Sequence, residues 1–307
     1  MSGIRTGPDQ TTVADRLAEL SGIGLGWSDR GYAAITGPLL RLARECDAAF
    51  RSLAARWNAQ PEEHASFIAT EDLAPVGYLA SFPHLATFGV AVKAEPDGLR
   101  AFAESARDDA SAAPEPESLT APRDVLTPAA CYHVYIHHSG RELTAPLLVT
   151  TKNTCFRREA HYEPLRRQWS FRMREIVHVG ARQETERFLE RTRGMVDELA
   201  VRLELPIEWK PASDPFFDPK ANPGYLMQKL HPTKYEACYG DLAIASVNMH
   251  EDHFGAAYGI THGGRPATSG CVAFGIERWL YALTDRWGTD PDGWPDVRDA
   301  AHGSERG

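Results

Sequence analysis

Residues 153–180 of the 307-residue chain read NTCFRREAHYEPLRRQWSFRMREIVHVG. Two runs rich in β-forming residues, one on each side of the polar stretch AHYEPLRRQ, predict an antiparallel hairpin. Alternation along the first strand puts Arg157 and Glu159 on the same face. An arginine there can hold a phosphate through two hydrogen bonds, while the carboxylate accepts from an amino group farther along the same ligand. The alternative interpretation is a surface ion pair on a half-exposed sheet.

The second informative stretch, residues 269–278, reads SGCVAFGIER. It predicts a strand that turns through Gly275 into an amphipathic helix, with Arg278 in the first helical turn. The helix dipole disfavours a cation at that end unless an anion lies nearby, so a bound phosphate would account for Arg278. An ordinary helix start, in which Glu277 satisfies the dipole, is the other interpretation.

The rest of the chain contains further predicted helices and strands. Apolar residues three or four apart predict one helix from Pro38 to about Asn58 and another from Ala181 to Glu204. β-rich runs occupy residues 129–137, 145–152, 235–240, 241–250 and 268–274. The predicted organisation is a helical and mixed region at 1–105, an exposed connection at 106–123, a core at 124–288 with a helical insertion at about 181–225, and a polar tail at 289–307.

Composition narrows the classes of function. The chain has 33 Lys and Arg against 42 Asp and Glu, a net charge of −9, which weighs against nucleic-acid binding through an overall positive field. No run of about 18 apolar residues and no signal-peptide pattern is present, so we expect a cytoplasmic protein with no membrane partner. The five cysteines are scattered and form no CxxC pair, which argues against a disulfide framework and leaves free thiols or metal ligands.

Taken together, the two stretches resemble the core of class II aminoacyl-tRNA synthetases. FRRE at 156–159 with its returning strand through Phe171 resembles motif 2 of that family, and GCVAFGIER at 270–278 resembles motif 3. The resemblance implies an α+β fold, an antiparallel sheet flanked by helices, in a homodimer. It also implies that Arg157 contacts the α-phosphate of ATP, Glu159 the adenine amino group, Phe171 the adenine ring and Arg278 the distal phosphates, with Mg²⁺ accompanying the nucleotide.

A narrower resemblance concerns three residues far apart in the sequence. Cys131, Glu175 and Cys271 match the positions that hold one catalytic zinc ion per chain in archaeal-type seryl-tRNA synthetases and in their relatives, the amino acid:[carrier protein] ligases. Their spacing fits no local metal motif, and without the resemblance buried cysteines are more often core residues. Three protein ligands would leave the fourth position of zinc open for the amino group of a substrate.

The resemblance to the carrier-protein ligases extends from about Thr127 to Trp287. It implies that ATP activates a small amino acid, glycine or alanine, which then passes to the 4′-phosphopantetheine thiol of a carrier protein. The long coiled-coil arm with which seryl-tRNA synthetases grip tRNA is not recognised, so we expect no tRNA partner. The family docks its carrier on the insertion, where the helix carries Arg182, Arg187, Arg191 and Arg193; a solvated helix face is the alternative.

Several further positions are candidates for substrate contacts. Ser246 and Asn248 share one strand face, as do Lys234 and Glu236, although backbone hydrogen bonds and an exposed ion pair are equally simple interpretations. Ala243 stands where the seryl enzymes have a metal-binding Glu, which puts one magnesium ligand in doubt. Most histidines, His250 and His253 included, are expected to be surface or hydrogen-bonded core residues.

Two rival functions stay open at this point. One is a tRNA-charging enzyme of the same fold that uses a separate tRNA reader. The other is a catalytically silent paralogue that acts as a binding protein, against which the presence of all six motif and metal-position residues weighs.

Overall fold

The computed structural model describes residues 13–108, 114–218, 220 and 232–302, and its elements are numbered here along those residues. A seven-stranded sheet forms the centre, in the order β10-β11-β12-β15-β9-β8-β3. All neighbours are antiparallel except β3 and β8, which are parallel. The strands are β3 (Gln60–Glu62), β8 (Leu147–Phe156), β9 (Ser170–Gly180), β10 (Ile207–Ala212), β11 (Lys234–Tyr239), β12 (Leu242–Glu251) and β15 (Thr268–Gly275).

The predicted hairpin is the middle of this sheet. β8 and β9 pair from Leu147↔Val179 to Phe156↔Ser170, and the polar loop of the hairpin joins them. β15, the strand of the second informative stretch, lies beside β9, with Cys271 opposite Val177 and Ala273 opposite Glu175. The two stretches that are distant in sequence are therefore neighbouring strands.

Helices cover one face of the sheet and enclose the main core. They are α1 (Val13–Gly22), α2 (Gly37–Ala55), α7 (Arg182–Arg202), α9 (Ile276–Trp287) and α10 (Val297–His302). Phe50 of α2 stacks on Phe274 of β15 with ring centroids 4.2 Å apart, and Trp279 of α9 meets Phe50 edge-on at 5.1 Å. Burying such aromatic side chains is worth about 1.5–3 kcal/mol each, so these contacts fix the helices on the sheet.

The other face carries two short helices, α6 (Tyr132–His137) and α8 (His253–Tyr258). Tyr135 stacks on Phe254 at a centroid distance of 4.0 Å, and both rings pack over Val177 and Val179 of β9 in one cluster of buried residues. Gly255 allows α8 to lie close to the sheet, because a Cβ there would stand 2.1 Å from the carbonyl oxygen of Ala267. These two helices form one wall of a cleft over the sheet.

The remaining elements lie around the sheet. No described helix has both the length and the apolar composition needed to cross a membrane. The described residues also form three small sheets. One pairs β1 (Leu25–Ser28) with β2 (Tyr32–Ile35), the second pairs β6 (Asp124–Leu126) with β4 (Phe67–Ala69) and β5 (Phe88–Gly89), and the third pairs β13 (Thr261–His262) with β7 (Glu142–Leu143) and β14 (Arg265–Pro266). The other described α-helices are α3 (Thr70–Leu73), α4 (Tyr78–Ser81) and α5 (Pro96–Asp108).

The architecture confirms the predicted α+β class, an antiparallel sheet flanked by helices, but it differs from the sequence analysis in places. The predicted strand at 129–137 is wrong, because residues 132–137 are helix α6. Cys131, Val134, Tyr135 and His138 are buried, a helical spacing that the β-rich composition concealed. The predicted polar tail at 289–307 contains helix α10, whose Val297 and Ala301 are buried where it packs on α2.

The helix of the predicted insertion also belongs to the body of the fold. α7 buries Phe188, Met195 and Leu199 in the main core and contacts β15, β12 and β9. β10, which follows it, is the edge strand of the seven-stranded sheet. The first half of residues 181–225 is thus a layer of the core. Residues 219 and 221–225 of that prediction lie outside the described residues, as do 1–12, 109–113 and 303–307 of the other predicted regions.

Candidate active site

Three potential metal ligands meet at the cleft face of the sheet. Cys131 immediately precedes α6, Glu175 lies in β9 and Cys271 lies in β15. Their donor atoms all lie within 4.8 Å of one another, and all three residues are buried. Cys131 reaches this point only because α6 packs across the sheet over β9 and β15.

Neighbouring groups orient these donors. The backbone N–H groups of Ala130 and Cys131 donate to Oε1 of Glu175 at 2.8 and 3.2 Å, so Oε2 is the oxygen that could bind a cation. The side-chain amide of Asn248 donates to Sγ of Cys271 at 3.4 Å. Such outer contacts fix ligand orientation around metal ions.

The electrostatics show what metal binding would require. A hydrogen bond between Cys131 and Cys271, together with burial, raises the pKa of the Cys131 thiol well above its ordinary value. The hydrogen bond with Cys131 lowers the pKa of Cys271, but burial and the Glu175 charge outweigh it and raise the pKa overall. Both thiols are therefore neutral at pH 7 without a metal ion, and ligation would release their protons. Two sulfur donors and one carboxylate oxygen suit zinc and leave one tetrahedral position open.

The residues expected to bind ATP gather in a pocket next to this cluster. The strand predicted to carry Arg157 and Glu159 ends before them, because β8 stops at Phe156. The N–H of Arg157 still bonds to the carbonyl oxygen of Trp169 at 2.9 Å, whereas the N–H of Arg158 turns to the carbonyl oxygen of Leu85. Arg157, Glu159, Phe171 and Arg278 line the pocket together. The guanidinium carbon of Arg157 lies 5.3 Å from the centre of the Phe171 ring. Glu159 forms an ion pair with Arg167 at 2.6 Å, so the ion-pair interpretation holds for Glu159, with Arg167 and not Arg157 as its partner.

Arg278 closes the far side of this pocket. Its guanidinium donates to the carbonyl oxygens of Arg166 and Ala243, at 3.0 and 2.9 Å. Burial, and next the charge of Arg157, lower the pKa of Arg278 below its ordinary value. Two nearby arginines held by neutral carbonyl groups favour an anion between them.

This pocket, named the nucleotide pocket for the ligand expected there, shares lining residues with a larger cleft of about 960 Å³ that reaches the metal-ligand cluster. Cys131, Glu175, Cys271 and Asn248 line this cleft. Arg157, Met173, Lys234, Ser246 and Ala273 line both spaces. Arg157 therefore lies at the junction, where a phosphate of a nucleotide and a ligand held at the cysteines would meet.

Comparisons with known proteins agree with this arrangement. A scan against models of protein families finds no match. Two curated relatives from Bradyrhizobium diazoefficiens, amino acid–[acyl-carrier-protein] ligases 1 and 2, are each 36% identical to the chain, over 234 and 231 residues. The matches cover 73% and 71% of this chain and 70% and 67% of the two relatives. The chain belongs to the amino acid–[acyl-carrier-protein] ligase family.

A solved structure shows the fold of this ligase family member. The seryl-tRNA synthetase of M. kandleri, determined in complex with A. aeolicus tRNASec, superposes with a TM-score of 0.82 at 20% sequence identity. The superposition covers 96% of the ligase chain and 62% of the synthetase chain. The fold is therefore that of the class II aminoacyl-tRNA synthetases.

The remaining predicted substrate residues of the ligase occupy the same face of the sheet. Lys234 lies between two carboxylates, 3.0 Å from Asp214 and 3.3 Å from Glu236. Asn248 also donates to Oγ of Ser246 at 3.0 Å, which links the predicted substrate pair to the sulfur of Cys271. Ala243 lines the nucleotide pocket, and its carbonyl oxygen accepts from Arg278 at 2.9 Å.

Sequence reasoning missed several residues of the ligase site. Met173 lies between Phe171 and Glu175 on the same strand face, and Ala273 lies between Cys271 and Gly275, so alternation in β9 and β15 would have identified both. Arg167 had no such signal, because it lies in the hairpin loop. Glu277 bonds to the N–H and the guanidinium of Arg172, both at 2.8 Å, in addition to lying at the start of α9.

Two expectations on basic residues of the ligase have mixed outcomes. His250 and His253 both line the cleft; His250 bonds to the Tyr135 hydroxyl at 3.0 Å, and burial lowers the pKa of His250 to about 4.

The arginines of α7 differ from one another. Arg182 bonds to Glu251 and Glu186, Arg191 lies over Trp57, Arg193 lies over Trp209, and Arg187 is exposed.

Proposed function

We propose that this ligase activates a small amino acid, glycine or alanine, with ATP and transfers it to the 4′-phosphopantetheine thiol of a carrier protein. In the first step a carboxylate oxygen of the amino acid attacks the α-phosphorus of ATP, and pyrophosphate leaves. In the second step the carrier thiol attacks the carbonyl carbon of the adenylate, AMP leaves, and a thioester forms. The names of the two Bradyrhizobium relatives support this reaction.

The observation that carries the proposal is the position of Arg157. It borders both the pocket of Glu159, Phe171 and Arg278 and the cleft of the cysteine cluster. A reaction that joins a carboxylate to an α-phosphate needs a cation at the boundary between the two substrates.

The protein's groups then act mainly by positioning and charge. Phe171 stacks on the adenine ring and Glu159 accepts from its amino group, while Arg157 binds the α-phosphate during attack. Arg278 balances charge on the leaving pyrophosphate, together with Mg²⁺. Because Ala243 has no side-chain donor, the magnesium ligands must come from elsewhere in the pocket. No side-chain nucleophile is needed.

Cys131, Glu175 and Cys271 would hold the proposed zinc ion, one per chain. A zinc ion with an open position supplies a Lewis acid that binds a neutral amino group. Ser246 and Asn248 border the substrate beside it, and Lys234 with Glu236 limits the cleft on the side of β11. The preference for a small side chain rests on the family resemblance, as do the homodimer and the docking of the carrier near α7.

One experiment separates this function from its rivals. The purified chain, assayed for zinc, is tested for ATP–pyrophosphate exchange with each of the twenty amino acids. It is then offered a phosphopantetheinylated carrier protein or tRNA as acceptor. Exchange with glycine or alanine, and a thioester on the carrier that is absent from a carrier lacking the arm, is the expected result.

The rival functions predict different outcomes of the same experiment. Exchange followed by charging of tRNA alone would establish the tRNA-charging enzyme. No exchange with any amino acid, from folded protein containing zinc, would establish the silent paralogue.

A further inference from the structure

A second group of metal-binding side chains lies away from the cleft. Glu62 of β3 and His137 and His138 at the end of α6 place their donor atoms within 4.8 Å of one another. None of these three belongs to the residues that line the two pockets of the active site. Two histidines and one carboxylate are a ligand set that zinc uses in proteins.

Further imidazoles surround this carboxylate. His138 lies 2.8 Å from Oε1 of Glu62, and His64 lies 3.0 Å from Oε2. The His64 ring stacks on His133 at a centroid distance of 5.4 Å and lies 6.0 Å from His137. Nε2 of His133 is buried and has no hydrogen-bond partner among the described residues. Both oxygens of the Glu62 carboxylate thus face an imidazole, and the rings of His133 and His137 lie against His64.

The site is accessible at one side. His138 is 5% exposed and Glu62 is 19% exposed in their side chains, whereas His137 is an exposed residue. An ion can therefore enter past His137 and find two donors already held in place. With neutral imidazoles the three ligands carry a net charge of −1, which favours a divalent cation.

We infer that Glu62, His137 and His138 form a second site for a divalent transition-metal ion, with zinc as the matching ion. Ligand atoms around tetrahedral zinc are about 3.4 Å apart, given bonds of about 2.0–2.1 Å. The 2.8 Å contact between Glu62 and His138 would therefore open slightly, and the other donor pairs already lie within 4.8 Å.

Arg141 determines which ring nitrogen of His138 carries the hydrogen. Its guanidinium donates to Nδ1 of His138 at 2.5 Å, so Nε2 of His138 carries the hydrogen that bonds to Glu62. Metal binding at Nε2 displaces that proton to Nδ1, and the exposed Arg141 side chain must move away. Replacing Arg141 by Ala is thus expected to strengthen metal binding, and weaker binding in that variant would contradict the assignment.

A metal ion here would act on the fold. α6 begins directly after Cys131 and ends at His137, while β3 is the edge strand beside β8. An ion bound to Glu62 and His137 ties the far end of α6 to the sheet edge. It would stabilise the helix whose other end carries a ligand of the active-site cluster, and ligand binding to the native state raises Tm.

The test uses the full chain stripped of metal with a chelator and titrated with Zn²⁺, then with Co²⁺. The expected result is two equivalents per chain, of which only one shows thiolate-to-cobalt charge-transfer absorption. Glu62→Gln and His137→Ala should each lose the equivalent without that absorption and the associated rise in Tm. His161→Ala is the matched control, because His161 also pairs with a carboxylate, Glu163 at 3.2 Å, but on the open surface.

Either of two outcomes would overturn the inference. One is a wild-type chain that binds only the thiolate-linked equivalent, and the other is a His137→Ala variant that keeps both equivalents. A chain that binds one equivalent without thiolate absorption would support this second site and contradict zinc at the cysteines. The two zinc assignments therefore fail separately.

Discussion

Arg157 lies over Phe171, with its guanidinium carbon 5.3 Å from the ring centre, and its Nε donates to the carbonyl oxygen of Pro128 at 3.0 Å. Pro128 lies three residues before Cys131. The arginine that borders the nucleotide pocket is thus bonded to the segment that delivers the first cysteine to the cleft. Any shift of that segment moves both halves of the site together.

Replacing Arg157 by Ala should abolish most of the activation step. The side chain supplies charge to the α-phosphate when pyrophosphate leaves, and loss of one such donor costs about 10²–10³-fold in rate. Arg157→Lys should recover only part of this, because an ammonium cannot form the two parallel bonds of a guanidinium. ATP–pyrophosphate exchange measures both.

The adjacent Arg158 is the control for this variant. It bonds to the Tyr162 hydroxyl at 2.7 Å and lies over Trp169, outside the nucleotide pocket. Arg158→Ala should keep near wild-type exchange. If Arg157→Ala kept the same activity as Arg158→Ala, the assignment of Arg157 to the α-phosphate would be wrong.

Glu175→Gln should remove zinc from the cleft without unfolding the chain. The amide oxygen can still accept from the N–H groups of Ala130 and Cys131, but the group that replaces Oε2 is then an NH₂ that cannot bind a cation. We expect zinc content to fall below one equivalent at the cysteines and amino-acid activation to fall with it. Metal analysis and circular dichroism on the same sample separate metal loss from unfolding.

Glu159→Gln is the matched variant for that test. Its carboxylate lines the nucleotide pocket and bonds to Arg167 rather than to the cysteine cluster. It should keep its zinc while its KM for ATP rises. Equal zinc contents in Glu175→Gln and Glu159→Gln would exclude Glu175 as a ligand.

Asn248→Ala should weaken zinc binding by about 10–100-fold, the usual effect of losing an outer contact to a ligand. The Asn248 amide donates to the Cys271 sulfur and to the Ser246 hydroxyl. Ser246→Ala removes the second bond but keeps the first, so it should leave zinc affinity close to the wild-type value. Competition with a zinc chelator measures both variants, and equal effects would show that the bond to sulfur is unimportant.

Asp47 and Arg174 join α2 to β9 through an ion pair with two hydrogen bonds, at 2.8 and 3.1 Å. Burial opposes ionisation of Asp47, but Arg174, followed by Lys152, lowers the pKa of its carboxyl below the ordinary value. Because the pKa is lower in the folded state, the stabilisation is present above the unfolded pKa of about 3.9 and is lost as pH falls through the folded pKa.

Asp47→Asn should therefore lower the free energy of unfolding at pH 7 by about 3 kcal/mol, since it leaves the buried Arg174 charge unpaired. The difference from wild type should shrink as pH falls below about 4, because the carboxyl is protonated first in the unfolded chain and only at lower pH in the folded protein. Urea unfolding between pH 3 and 7 measures this. Glu186→Gln, in an exposed pair with Arg182, should change stability by less than about 1 kcal/mol at any pH. A difference for Asp47→Asn that does not depend on pH would contradict the ion-pair explanation.

Local patterns in the sequence were sufficient for much of the fold. The helix predicted at 38–58 is observed at Gly37–Ala55, and the helix predicted at 181–204 is observed at Arg182–Arg202. Alternation also placed Ser246 with Asn248 on one face of β12, where both line the cleft. These predictions worked because periodicity along one strand or helix is set by the backbone geometry of that element alone.

Local patterns were insufficient for α6. Tyr, Val and Ile favour strands, and the run at 129–137 is full of them, yet stacking of Tyr135 on Phe254 stabilises a helix there. That contact joins residues more than a hundred positions apart, so no window of sequence contains it. The cluster of Glu62 with His64, His133, His137 and His138 was missed for the same reason. Glu62 and His64 lie at and just after β3, whereas the other three histidines lie in or directly after α6.

By itself, the sequence determined which chemical groups this ligase has and which of them lie close together along the chain. These are the arginines and the carboxylate of the hairpin, and the strand that turns into α9. That the two cysteines and the glutamate belong to one cluster was suggested only by a resemblance. The tertiary structure alone decided which of these groups meet. The distances within the cysteine cluster, the place of Arg157 between two pockets, and the second cluster at Glu62 all arise from strand order and helix packing, which depend on hydrophobic contacts between distant parts of the chain.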